Sequence, residues 1–135
     1  FLLYCFLINN AKAQTINSLT IIPTNPTTAD TIKVISYTFH ASTVCNLTSS
    51  TININNDTIT VFASHANGIM PATCTSIDTL TIGKLIANTY ELHYYLENIA
   101  PPITYDIDTI IFTVQPSNGL NHFNYYYFGK LTTPC

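Results

Sequence analysis

The 135-residue chain is long enough for one domain with a real core and too short for two ordinary ones. Charged residues make up only 8%, Arg is absent and the net charge is −3, which excludes the clustered basic surface that a phosphate backbone demands. High apolar content with low charge density excludes an intrinsically disordered chain, and the dominance of Ile, Thr, Tyr, Phe and Val points to sheet.

The chain opens on the apolar run "FLLYCFLI", followed by Ala11-Lys12-Ala13, a small-x-small cleavage signal. Residues 1–13 read as the hydrophobic and cleavage regions of a secretory signal peptide whose charged n-region is missing. Eight apolar residues cannot cross a hydrocarbon core of about 30 Å, so no transmembrane segment is expected in the mature chain. Cys5 does not mark a lipid anchor, because Tyr4 stands where a small residue is needed. Export makes the setting oxidising, and the mature chain keeps Cys45, Cys74 and Cys135. Cys45 and Cys74 are the expected disulfide, closing a loop of about thirty residues; Cys135 is then unpaired, and sequence alone leaves the other pairings open.

Strands are expected at Leu19–Ile22 and, after a loop punctuated by Pro23 and Pro26, at Thr31–His40. In the second, Ile32 and Val34 share one parity while Ile35, Tyr37 and Phe39 share the other. This phase change predicts burial on both faces or a bulge near Val34. Thr51–Asn55 and Thr58–Ala63 alternate on either side of Asn55-Asn56-Asp57, residues that tolerate the positive φ of a hairpin turn. A loop is expected over residues 65–75, then strands at Thr79–Ile82 and Thr89–Glu97. In the latter, Tyr90, Leu92, Tyr94 and Leu96 form one face. A final strand within "TYDIDTIIFTVQP" ends before Pro116. About seven short strands at roughly ten-residue intervals predict an all-β antiparallel sandwich over residues 14–116. Residues 117–135 form a tail, an edge strand or disordered end, in which Tyr125, Tyr126 and Tyr127 are candidate binding aromatics.

"KLIANTYELHYYL" resembles the entry to the penultimate strand of immunoglobulin-like domains, with Asn88 in the usual Gly position. The resemblance implies that Tyr90 forms a tyrosine corner, its hydroxyl bonding back to the preceding turn. More broadly, residues 16–116 resemble the immunoglobulin-like modules of secreted Bacteroidetes proteins. "IIPTNPTTADTIKV", a Cys, "DTITV", a second Cys, "TIGKL" and "DTIIFTV" follow one another in a similar order. The chain has no Trp and places Cys74 in a mid-chain loop. The expected cystine is therefore a peripheral clamp and not the core bridge of antibody domains. The resemblance also implies that Asp-Thr followed by an aliphatic residue is an O-glycosylation signal, with Thr31, Thr58, Thr79 and Thr109 as the sites. Read from the residues alone, each triad starts a strand: Asp closes a turn, Thr opens the strand and Ile or Leu points inward. Asn46 and Asn56 begin N-x-Thr sequons, relevant only in a host with a eukaryote-like pathway.

Candidate chemistry is sparse. His40, His65, His93 and His122 show no spacing that would set two imidazoles on one metal, and no cofactor is expected. Asp106 and Asp108 offer hard oxygen ligands for Ca²⁺ on one edge, with a solvated strand entrance as the plainer reading. No nucleophile motif is present. The expectation is a non-catalytic secreted or cell-surface domain, an interaction or spacer module for an extracellular protein or glycan, with no nucleic-acid partner. The alternatives are a carbohydrate-binding module using Tyr94, Tyr95 and Tyr125–Tyr127, and a small secreted hydrolase, which would need a cleft with convergent polar groups.

Overall fold

Seven strands build the fold of the described residues: β1 Gln14–Ile22, β2 Ile32–His40, β3 Leu47–Asn55, β4 Thr58–His65, β5 Cys74–Gly83, β6 Asn88–Asn98 and β7 Thr104–Val114. The computed structural model describes residues 13–69, 72–99 and 103–118. Residues 1–12, where the signal peptide is expected, and the aromatics Tyr125, Tyr126 and Tyr127 lie outside that range.

The strands divide into a three-stranded sheet, β1-β2-β5, and a four-stranded sheet, β3-β4-β6-β7. Between them Ile21, Ile32, Val34 and Leu80 of the first sheet pack against Ile59, Val61, Leu92, Phe112 and Val114 of the second. Each large apolar side chain so buried contributes about 1.5–3 kcal/mol relative to exposure.

One pairing departs from the antiparallel arrangement expected. β4 runs parallel to β6, from Thr58 opposite Glu91 to His65 opposite Asn98, while the other four pairings are antiparallel. The apolar content of the hairpin explains it. β4 turns Ile59, Val61, Ala63 and His65 fully inward, whereas β3 is a Thr/Ser/Asn strand that is mostly exposed. The apolar strand takes the interior position and the polar one the edge, and a two-residue turn at Asn56-Asp57 then fixes β4 parallel to β6. Asn56 holds φ at 55°, the left-handed conformation that Asn tolerates.

The phase change in β2 is not burial on both faces, although a register shift against β5 does fall near Val34, between Ile32 and Lys33 opposite Gly83 and Thr81. Ile32, Val34, Ser36, Thr38 and His40 all point inward, so the interior face changes chemistry along the strand rather than direction. Ile35, Tyr37 and Phe39 line the outer face, and the pairing with β1 has a further irregularity between Ile16 and Ser18. The Asp-Thr triads are also not four strand starts. Asp30 does close a turn, accepting bonds from the Thr27 amide and hydroxyl at 2.7 Å each, and Asp57 sits in the hairpin turn. Asp78 and Asp108 lie within β5 and β7, because both strands begin several residues before their triads. The aliphatic third residue still turns inward, with Ile32, Ile59 and Leu80 buried and Ile110 packed on the core.

Backbone bonds close the β1/β7 side of the sandwich. The Thr28 amide donates to the Gln115 carbonyl at 2.9 Å, and the Gln115 amide donates to the Pro26 carbonyl at 2.8 Å. Elsewhere, Gly68 brings the β4–β5 loop against residues 42–44, where a Cβ would collide with Thr43 Oγ1 and the Val44 amide. Its own amide donates to Ser42 Oγ at 2.6 Å.

Candidate functional site

The inward polar half of β2 meets polar residues from three other strands. Ser36 Oγ and the Tyr94 hydroxyl lie 2.8 Å apart, as do Thr38 Oγ1 and His40 Nε2. His65, at the end of β4, packs on His40 with ring centroids 4.8 Å apart and the ring planes tilted by 43°. Its Nε2 donates to Asp78 Oδ2 at 2.8 Å, since a carboxylate oxygen can only accept. Ser76 Oγ donates to the same oxygen at 2.8 Å. The Cys45–Cys74 disulfide, Cα–Cα 5.9 Å, closes this end of the sandwich, with Cys74 directly opposite His40 on the neighbouring strand. It joins the segment leading into β3 to the first residue of β5, and so ties the two sheets together.

Burial dominates the electrostatics. It is the main cause that pushes the His40 imidazole down to about 4, aided by His65 and opposed by the Asp78 charge. Burial works against ionisation of Asp78 as well, but the hydrogen bonds from His65 and Ser76 outweigh it and hold that carboxyl below its usual range. The Tyr94 hydroxyl is pushed up to about 12, again chiefly by desolvation. Nδ1 of both imidazoles has no hydrogen-bond partner among the described residues, which at His40 adds to the preference for the uncharged ring.

Serine, histidine and aspartate are therefore neighbours, but not in the order that nucleophilic catalysis requires. Ser76 bonds to the carboxylate rather than to an imidazole, and both rings are fully buried. The cluster acts as a sealed polar core. Tyr94→Phe would leave the Ser36 hydroxyl without its partner, and is expected to cost about 1–3 kcal/mol in urea unfolding. An unchanged midpoint would show that the Ser36–Tyr94 bond contributes nothing.

Tyr94 is thus corrected from a binding aromatic to a core residue: the parity that turns Leu92 and Leu96 inward turns it inward too. Tyr95 has the opposite parity and lies on the outer face of the four-stranded sheet, half-buried. There it stacks on Phe62 with centroids 4.9 Å apart and stands across from Ile107. Ile107 and Ile111 on the same face are 52% and 66% exposed. Around them are Thr60, Thr109, Thr113, Glu91 and His93, the last bonded to Thr109 Oγ1 at 3.2 Å. A shallow depression lined by Thr104, Tyr105, Asp106 and Ile107 adjoins the β6–β7 irregularity at Leu96 and Glu97.

Comparison of the chain with family models, with curated proteins and with solved structures returned no match. The remaining sequence candidates are therefore placed by geometry alone. The Tyr90 hydroxyl donates to the Ile86 carbonyl at 3.2 Å. Asp106 and Asp108 fall on the core-facing parity of β7, where Asp106 Oδ2 accepts the Ile16 amide and Asp108 Oδ1 the Thr109 amide. Among the described residues no group of three or more His, Cys, Asp or Glu is placed to hold a metal ion. Thr31, Thr79 and Thr109 are exposed, and Thr58 is half-buried.

The His40–His65 contact had no counterpart in linear spacing, because the two residues come from different sheets. One signal for it was present. The face of β2 that starts with Ile32 and Val34 continues, at the same parity, through Ser36, Thr38 and His40.

Proposed function

We propose that the chain is an exported, immunoglobulin-like sandwich that acts without catalysis, as an interaction or spacer module at the cell surface or outside it. Its contact surface is the outer face of the four-stranded sheet. The observation that carries this reading is the contrast between two sites. The two imidazoles of the Ser-His-Asp cluster are fully buried, while Phe62, Tyr95, Ile107 and Ile111 form an apolar band on a face otherwise built of Thr, Glu and His. Flat aromatic area with polar tips suits protein or glycan surfaces. The immunoglobulin-like assignment is supported by the three-plus-four division of strands and by the Tyr90–Ile86 bond, and the parallel β4–β6 ladder is its point of departure. The order of motifs over residues 16–116 supports a Bacteroidetes-type secreted module. The Cys45–Cys74 bond fits an oxidising setting, and among the described residues no helix is long and apolar enough to cross a membrane.

The Phe62–Tyr95 stack beside a shallow depression also favours the carbohydrate-binding alternative. A glycan array probed with the wild type and with Tyr95→Ala separates the readings. Glycan binding that disappears in the variant would establish a carbohydrate module, and silence on every glycan is expected for a protein-binding or spacer role. A parallel panel of chromogenic esters and glycosides should show no turnover. Turnover abolished by Asp78→Asn would overturn the non-catalytic reading.

A further inference from the structure

The four strand edges of this sandwich are not equivalent. β1 and β7 face each other on the side closed by residues 26–28 and 115, and the β1 amide of Ile16 is occupied by Asp106. β5 carries the inward-pointing charge of Asp78, and the cystine pins its first residue. Inward charges and covered edges are the devices by which sheets avoid pairing with other chains. β3 has neither. Its nine residues, LTSSTININ, hold no charge and no Pro, and most are exposed.

The unequal sheets add a second observation. Because three strands face four, β3 overhangs, and Ile54 is 48% exposed although it shares the core-facing parity of Ile52 and of its partner Ile59. An edge with unpaired backbone groups is thus accompanied by apolar area on the core side of the sheet.

The regular part of this edge is bounded at both ends. The β3–β4 irregularity lies between Leu47 and Ser49, and the hairpin turn begins at Asn56, leaving residues 49–55. Their midpoint is Ile52. In a two-residue hairpin the flanking pair, here Asn55 and Thr58, exchanges hydrogen bonds, and bonded and non-bonded pairs then alternate. Asn53 and Thr51 therefore bond to β4, which leaves the amides and carbonyls of Ser50, Ile52 and Ile54 directed to the free edge.

We propose that β3 is a homodimerisation edge, pairing antiparallel with β3 of a second copy about a two-fold axis through Ile52. In this register Ile52 faces its own copy and Ser50 faces Ile54. These are the residues with free backbone groups, so the full regular segment is paired. On the outer face Thr51 meets Asn53 and Ser49 meets Asn55, with no like charges opposed. The two four-stranded sheets become one eight-stranded sheet, in which Ile52 packs on Ile52 of the second copy and Ile54 lies opposite Ser50 and diagonal to Ile52 of that copy. Such an interface is isologous and closes at two copies. The proposal is independent of the contact surface assigned to Phe62 and Tyr95, which lie on the face of the sheet and not on this edge.

Sedimentation velocity of the chain up to on the order of 100 μM, with a non-reducing gel to exclude covalent dimers, is the direct test. The wild type should sediment as a dimer. The double substitution Thr51→Lys with Asn53→Lys, at two exposed outer-face positions, sets lysines opposite one another across the axis. It should give a monomer whose far-UV circular dichroism spectrum matches that of the wild type, which shows that the fold is intact. Thr51→Lys with Asn53→Glu sets each lysine opposite the partner's glutamate and should restore the dimer. A wild type that stays monomeric throughout the range, or a dimer indifferent to the lysine pair, overturns the proposal. A dimer lost in both double variants would overturn the Ile52 register.

Discussion

Replacing Cys45 and Cys74 together by serine is expected to lower the stability of the domain by about 3–4 kcal/mol, the chain entropy released by opening a loop of this length. The two residues are separated by 29 positions and hold together segments that belong to opposite sheets. For a domain near 100 residues this corresponds to a fall in melting temperature of roughly 15–25 °C. Calorimetry of the double variant, and of the wild type with and without reductant, gives the comparison. The cystine also covers the end of the sandwich where His40 and His65 meet, so its loss should admit water to residues that depend on dryness. Equal melting temperatures for oxidised wild type and double variant would show that packing alone holds this end closed.

Mild acid is expected to act on the same region. His40 titrates near 6.5 when unfolded and at about 4 in the fold, so between these values the unfolded chain binds the additional proton. Stability from keeping the ring neutral is present in full above pH 6.5 and is lost as pH falls towards 4, in total on the order of 3 kcal/mol. Asp78, whose folded value is also depressed, adds a loss only below the ordinary carboxylate range. Melting temperatures measured from pH 7.5 to 4.5 should therefore decline, with the steepest part inside the His40 window. His40→Gln keeps a nitrogen donor near Thr38 but cannot titrate, and should flatten the decline. A wild-type curve that is level across this range would contradict the assignment.

Much of the strand inventory was legible in the sequence because it rests on local chemistry. The Asn56-Asp57 turn, the Pro-marked loops and the alternation of Tyr90, Leu92, Tyr94 and Leu96 are each written within a few residues. The Cys45–Cys74 pair was legible from loop length and compartment. Parity says which way a side chain turns, however, and not which strand lies beside it. The parallel partner of β4 was therefore hidden, and with it the meeting of His65 with His40 and Asp78. Tyr94 was misjudged for a related reason. A tyrosine suits a surface as readily as a core, and only a polar partner across the sheets, Ser36, makes the buried position tolerable. Asp78 reads as a turn residue until β5 is seen to begin at Cys74, which puts its carboxylate inside the sandwich and in reach of an imidazole.

The parallel ladder between β4 and β6 also governs the order in which the chain can assemble. The β3–β4 hairpin closes over two residues, an event of about 1–10 μs for an isolated hairpin. Its attachment to β6 pairs Thr58 with Glu91, residues 33 positions apart (91 − 58), and the intervening chain must first lay β5 down in the other sheet. Part of the entropy of that closure is met by the shorter His65–Asp78 contact between β4 and β5, 13 positions apart, and the rest falls on the docking step. Until the hairpin docks, the inward face of β4, with Ile59, Val61 and Ala63, stays in water, and the chain is at its most vulnerable to wrong partners.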